Sequence, residues 1–221
     1  MDLTELVLAI GGLGTAAYGL VDATKALYGG VSRVGFGDIR RVISKLIPEA
    51  FGDKDTLSAL GQGSVLSTLR ANWMNGMAAA DQKSIAKALV KLNLTPGTAS
   101  LLAEATGVDD KTLASVAKKL STKDKLTDEE TDVFGRFDLS LSSLLDQAYQ
   151  RGDQRYRNTA KLMAVVVSIL LAWAGAETIL GPGHLRLATL AGLLATPLAP
   201  VAKDLASAIQ AGAKVAQFWK G

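Results

Sequence analysis

Apolar positions in this chain gather into three uncharged runs, and a long stretch of helical periodicity separates the first from the second. Leu6–Val21 has no charge between Glu5 and Asp22, Leu162–Ala176 none between Lys161 and Glu177, and Leu187–Ala202 none between Arg186 and Lys203. None of the three keeps a polar side, whereas a surface helix of a soluble domain shows one to water. Each run falls short of the about 20 residues of a membrane span, and of its usual lower limit of roughly 17. The flanks complete them. Lys161, Arg186 and Lys203 can lay their stems along the apolar zone and carry their charges to the headgroups. Trp173, near the far end of the second run, is placed as an interfacial anchor.

Between the first two runs the period changes to that of amphipathic helices of ten to fifteen residues joined by polar turns. Asp81 stands before a segment with Ile85, Leu89 and Leu92 on one face. Thr95-Pro96 reads as a cap followed by proline at the first helical position, with Gly107 as the stop. Asp109 or Asp110 opens the next helix, and Thr127-Asp-Glu-Glu130 has the spacing of a capping box. Phe137, Leu141, Leu144, Leu145 and Ala148 continue the helical stripe. No proline then intervenes before Leu162, and Gly152 is the one weak breaker, so the second run reads as the upper part of a single long helix. Pro197 and Pro200 predict a kink, followed by a C-terminal helix with a stripe through Val201, Leu205 and Ile209 to Trp219.

The expectation is an all-α integral membrane protein with three short transmembrane helices and an inserted helical bundle domain. Its parts are a first transmembrane helix and flank (1–31), a helical domain (32–158), a transmembrane hairpin (159–202) and an amphipathic C-terminal helix (203–221). Lys25, Arg33, Arg40, Arg41 and Lys45 follow the first run; Arg151, Arg155, Arg157 and Lys161 precede the second. Lys203, Lys214 and Lys220 follow the third, while the N-terminal stub carries only acids. The positive-inside rule then sets the N-terminus outside, with residues 32–158 and the C-terminus cytoplasmic.

Overall charge is modest. Residues 24–161 hold 20 Lys/Arg against 16 Asp/Glu, interleaved, which is too dilute for a nucleic-acid footprint. There are no cysteines, so disulfides, thiolate metal sites and cysteine nucleophiles are excluded.

The sharpest motif is Gly12-Leu-Gly14-Thr-Ala-Ala17, a G-x-G-x-x-A run of the type that opens a dinucleotide-binding βαβ unit. The hydrophobic strand and acid that should follow are missing from the sequence. Helix packing explains the run more simply: Gly12 with Ala16, and Thr15 with Gly19, have the small-xxx-small spacing that lets the first span pack closely against the second or third, or against another copy. His184, the one histidine, sits in a Gly/Pro turn without the acids of a metal site or triad. Glu177 and Asp22 lie at the ends of apolar runs, where interfacial solvation is the leading reading; a Glu177 facing the bundle interior would instead make it the candidate for an ion path, since acids at membrane depth are functional candidates by default. No metal and no cofactor is expected.

The run from Phe137 to Thr178 resembles a pattern in uncharacterised bacterial inner-membrane proteins, with Phe137, Tyr156, Arg157, Lys161, Ala176, Glu177 and Thr178 as the matching positions. It lacks the Asn usual before the acid, and its first span is richer in glycine. The resemblance implies a bacterial inner (cytoplasmic) membrane location and no particular activity. The expected function is therefore that of a non-catalytic membrane-embedded subunit or scaffold, in contact with lipid, that forms a homo-oligomer or joins a membrane complex. An oligomeric pore or ion-conducting channel, holin-like or a defence effector, is the alternative. A soluble nucleotide-binding enzyme using Gly12–Ala17 is the second.

Overall fold

The computed structural model describes residues 2–26, 29–47, 61–179, 181 and 183–218, and every regular element among them is a helix. They are α1 (Leu3–Ala23), α2 (Ser32–Leu46), α3 (Gln62–Met74), α4 (Ala79–Leu92), α5 (Ala99–Thr106), α6 (Asp110–Thr122), α7 (Asp128–Ile179) and α8 (Leu185–Phe218). A 3-10 turn, Thr24–Ala26, follows α1. The chain divides into two compact units, Met1–Val31 with Tyr156–Gly221, and Ser32–Arg155. Helix α7 contributes its first half to one unit and its second half to the other.

The helix ends follow local chemistry. At α1, Asp2 accepts from the Glu5 amide at 2.7 Å and the Glu5 carboxylate accepts from the Asp2 amide at 3.0 Å, a reciprocal box that satisfies two amides with no helical partner. The same device forms at α7, where the Thr127 amide donates to Glu130 Oε2 at 2.7 Å and the Glu130 amide donates to Thr127 Oγ1 at 3.3 Å. Asp109 caps α6 by accepting from the Thr112 amide. Gly107 ends α5 in the left-handed region, at φ 71°, where a side chain would be strained. Two starts differ from expectation. Helix α4 opens at Ala79, before Asp81, and α5 opens at Ala99 because Thr95–Thr98 closes a turn of its own, with the Thr95 amide donating to Thr98 Oγ1.

In the unit Ser32–Arg155 each helix turns one apolar stripe inward. Ile39 and Ile43 of α2, Val65 and Leu69 of α3, Val90 of α4, Leu102 of α5 and Leu113 of α6 are buried against Phe137, Leu141 and Leu145 of α7. Each such Leu or Ile contributes ~1.5–3 kcal/mol by leaving water. On α4 the inward face is Gln82, Ala86 and Val90, with Ile85 and Leu89 beside it; Leu92, expected on that face, is exposed. Lys87 and Lys91, one turn apart, both reach Asp138 of α7, and Lys83 reaches Asp146, so a row of half-exposed pairs sets how α4 lies along α7. Helices α2 and α7 approach closely where Gly152 meets the Gly35 carbonyl; a Cβ there would stand 2.7 Å from that oxygen. Beside this contact Arg155 Nε lies 3.0 Å from the buried Asp38 Oδ2, and Arg41 approaches the other oxygen at 3.5 Å.

Helix α8 spans the expected division at residue 202. It runs without interruption from Leu185 through Pro197 and Pro200 to Phe218, so the second hairpin arm and the C-terminal segment are one helix. Each proline removes an amide donor and would cost about 3 kcal/mol in an ordinary helix interior, a loss that close neighbours in an apolar setting can offset. Both prolines are exposed, as are Val201 and Ile209 of the expected C-terminal stripe; Trp219 lies outside the described residues.

Candidate functional site

The unit built from α1, the second half of α7 and α8 has small residues inside and large ones outside. Ala17, Ala164, Ser168 and Ala195 are fully buried, and Ala176, Ala188, Ala199 and Ala202 nearly so. Leu162 and Leu187 are each 65% exposed, and Leu170, Leu190, Leu193 and Leu194 are also turned outward. A water-soluble core has the opposite arrangement, because burying a leucine removes far more apolar area from water than burying an alanine. Three helices here are long and apolar enough to cross a membrane: α1, α7 and the Leu185–Ala211 part of α8.

Small residues bring the backbones together. A Cβ at Gly11 would overlap Ala202 and stand 2.8 Å from the Leu198 carbonyl, and one at Gly14 would overlap the Ala195 carbonyl. A Cβ at Gly192 of α8 would stand 2.6 Å from Ile169 Cα of α7. The packing face of α1 is therefore Gly11, Gly14, Ala17 and Val21. The expected face of Gly12, Thr15, Ala16 and Gly19 is exposed and does not meet α7 or α8: a Cβ at Gly12 or Gly19 would meet nothing within 4 Å, which leaves that face open to another copy.

Polar groups at the α7–α8 seam satisfy one another. Ser168 Oγ donates to the Gly192 carbonyl at 2.9 Å and lies 3.5 Å from Thr196 Oγ1. Trp173, placed by the sequence as an interfacial anchor, donates its indole N–H to Thr189 Oγ1 at 2.9 Å while its ring stays 40% exposed. Such bonds hold two helices in register. Sequence reasoning missed Ser168, Thr189 and Thr196, since hydroxyls within apolar runs carry no signal until a second helix faces them.

Lys161, Arg186 and Lys203 are exposed at the flanks of the apolar segments. Glu177 is exposed in the last turn of α7, where it and His184 line a pocket of about 100 Å³ with Gly181 and Gly183. Asp22 is ion-paired with Lys25, and Lys25 also lies 5.4 Å from the Tyr156 ring centre. The Gly12–Ala17 run is interior to α1, and no strand occurs among the described residues, so the βαβ context that a dinucleotide loop requires is absent there. Among those residues no group of three His, Asp or Glu side chains is placed to hold a metal ion. No protein-family model, curated protein or solved structure matches the chain.

Proposed function

We propose that the protein is a non-catalytic membrane-embedded subunit or scaffold whose three apolar helices assemble with copies of the chain or with a larger complex. Its helical domain, residues 32–158, faces the cytoplasm and docks the partner. The observation that carries this reading is the outward display of leucines around a small-residue interior, since that much contiguous apolar surface on a soluble monomer would aggregate. The basic residues flanking the apolar runs support the orientation with the N-terminus outside, and the resemblance over Phe137–Thr178 supports a bacterial inner membrane. An ion path draws less support, because Glu177 is exposed at a helix end and the Ser168 and Thr196 hydroxyls are engaged at the α7–α8 seam.

Alkaline carbonate washing of membranes from expressing cells should leave the chain in the pellet. Recovery in the supernatant overturns the membrane reading. Light scattering of detergent-solubilised protein should then give a protein mass above the 23.0 kDa of one chain, or native membranes should yield a stoichiometric partner. A monodisperse monomer that brings nothing with it sinks the scaffold.

A further inference from the structure

Helices α2 and α3 face each other across an open groove of about 460 Å³. Helix α2 lines it with Arg33, Gly37 and Arg40, and α3 with Gly63, Ser67 and Arg70. Both rows have the spacing of one helical face, so the arginines stand along the two rims. Phe36 and Leu66 form the floor between them. The groove is open beside both glycines, where a Cβ at Gly37 or at Gly63 would meet nothing within 4 Å.

The charges in the groove are unbalanced. Elsewhere in the same unit Arg41 and Arg155 sit on Asp38 and Arg136 on Asp132, while Arg151 stands outside the groove without a carboxylate among the described residues. Among the described residues Arg33, Arg40 and Arg70 have no carboxylate partner, and no acid lines the groove. Three guanidinium groups around one concavity repel each other unless an anion lies between them. Guanidinium is the side chain best suited to a tetrahedral oxyanion, because its planar fork donates two parallel hydrogen bonds to one phosphate. Helix α3 adds to this, since Gly63 is in its first turn and Gly61, its N-cap residue, supplies no side-chain acceptor to the free amides.

We propose that the groove binds a phosphate group, held by Arg33, Arg40 and Arg70 and by the hydroxyl of Ser67. Two sources carry that chemistry: the headgroup of an anionic phospholipid and a free phosphate compound. Arg33 follows the end of α1 by ten residues, within the chain distance over which juxtamembrane basic residues meet anionic headgroups.

The test uses the full-length chain with two probes. Inorganic pyrophosphate is titrated calorimetrically into protein in neutral detergent. Co-purifying lipid is counted by native mass spectrometry after reconstitution into bilayers of phosphatidylcholine containing phosphatidylglycerol. The wild-type chain should bind at least one probe; the probe bound names the source. Replacing Arg33, Arg40 and Arg70 by Gln should weaken that binding by about tenfold or more, the size of one lost charge-assisted hydrogen bond. Replacing the exposed Lys118, Lys123 and Lys125 by Gln removes the same charge elsewhere and should leave binding within about twofold. Helical circular dichroism confirms that both variants fold. Binding of neither probe by the wild type, or equal loss in the two variants, overturns the site.

Discussion

Gly12 and Gly14 lie two positions apart in α1, and the structure gives them opposite consequences. A side chain at Gly14 meets the Ala195 carbonyl, which is backbone and cannot swing aside, whereas one at Gly12 meets open space. Gly14→Leu should therefore destabilise the three-helix unit by about 1–3 kcal/mol or more, the usual cost of overpacking a tight contact. Gly12→Leu should stay within about 0.5 kcal/mol, as for other substitutions that touch nothing. Thermal unfolding in detergent, followed by tryptophan fluorescence, separates the two; equal shifts would mean that the α1–α8 contact is misplaced. The residues that matter here were only partly legible in the sequence. Small side chains occupy 11, 12, 14, 15, 16, 17 and 19, so a four-residue spacing fits several faces of the helix equally well. Only Ala195, Ala199 and Ala202 on the partner helix single out Gly11 and Gly14, and no rule local to α1 contains them.

At the scale of elements, side-chain caps at helix ends were more readable than the starts of α4 and α5 or the passage of α8 through its prolines. The caps at Thr127–Glu130, Asp109 and Gly107 all form, because capping is settled by groups within three or four residues of one another. Gly152 reads as too weak a breaker to end a helix, and α7 runs through it; Pro197 and Pro200 look like stronger ones, yet α8 runs through them too, since packing against another helix decides a helix interior. Glu130 shows how much one cap can gather. The Lys119 ammonium, the Thr127 amide and the Ser115 hydroxyl all donate to its carboxylate, each at 2.7 Å, and hold its pKa at about 2 against an ordinary 4.5. A carboxyl depressed in the folded state contributes stability that is present in full above its unfolded pKa and is lost as pH falls through the folded one. Glu130→Gln keeps a capping side chain but loses the charge, so its melting temperature should lie below wild type at neutral pH. The gap should close as pH drops from 4.5 toward 2. A gap that stays constant over that range would show that the charge on Glu130 contributes nothing.

On the scale of the whole molecule, one chain solves two opposite solvation problems. In Ser32–Arg155 the large apolar side chains point inward, as Leu113, Leu141 and Leu145 do, and ion pairs and caps face outward. In the other unit alanines, glycines and hydroxyls fill the interior and leucines cover the outside. The segregation was visible as three uncharged runs, because absence of charge is a property of composition along a segment. Which residues of a run turn outward was not, since a run without a polar side gives the same period for every face. That difference supplies a direct measurement. An apolar carbene precursor dissolved in bilayers carrying the protein, then photolysed, reacts with whatever side chains lie in the hydrocarbon. Labelling should fall on Leu162, Leu170, Leu190 and Leu194, whose side chains are about half or more exposed, and should spare Leu113, Leu141 and Leu145, which are shielded from any solvent. The Gly12 face of α1 should take label in protein diluted to one chain per vesicle and lose it if copies associate through that face. Even labelling across both leucine groups, or none on the first, would mean that the exposed leucines meet something other than lipid, and the membrane reading would fall with them.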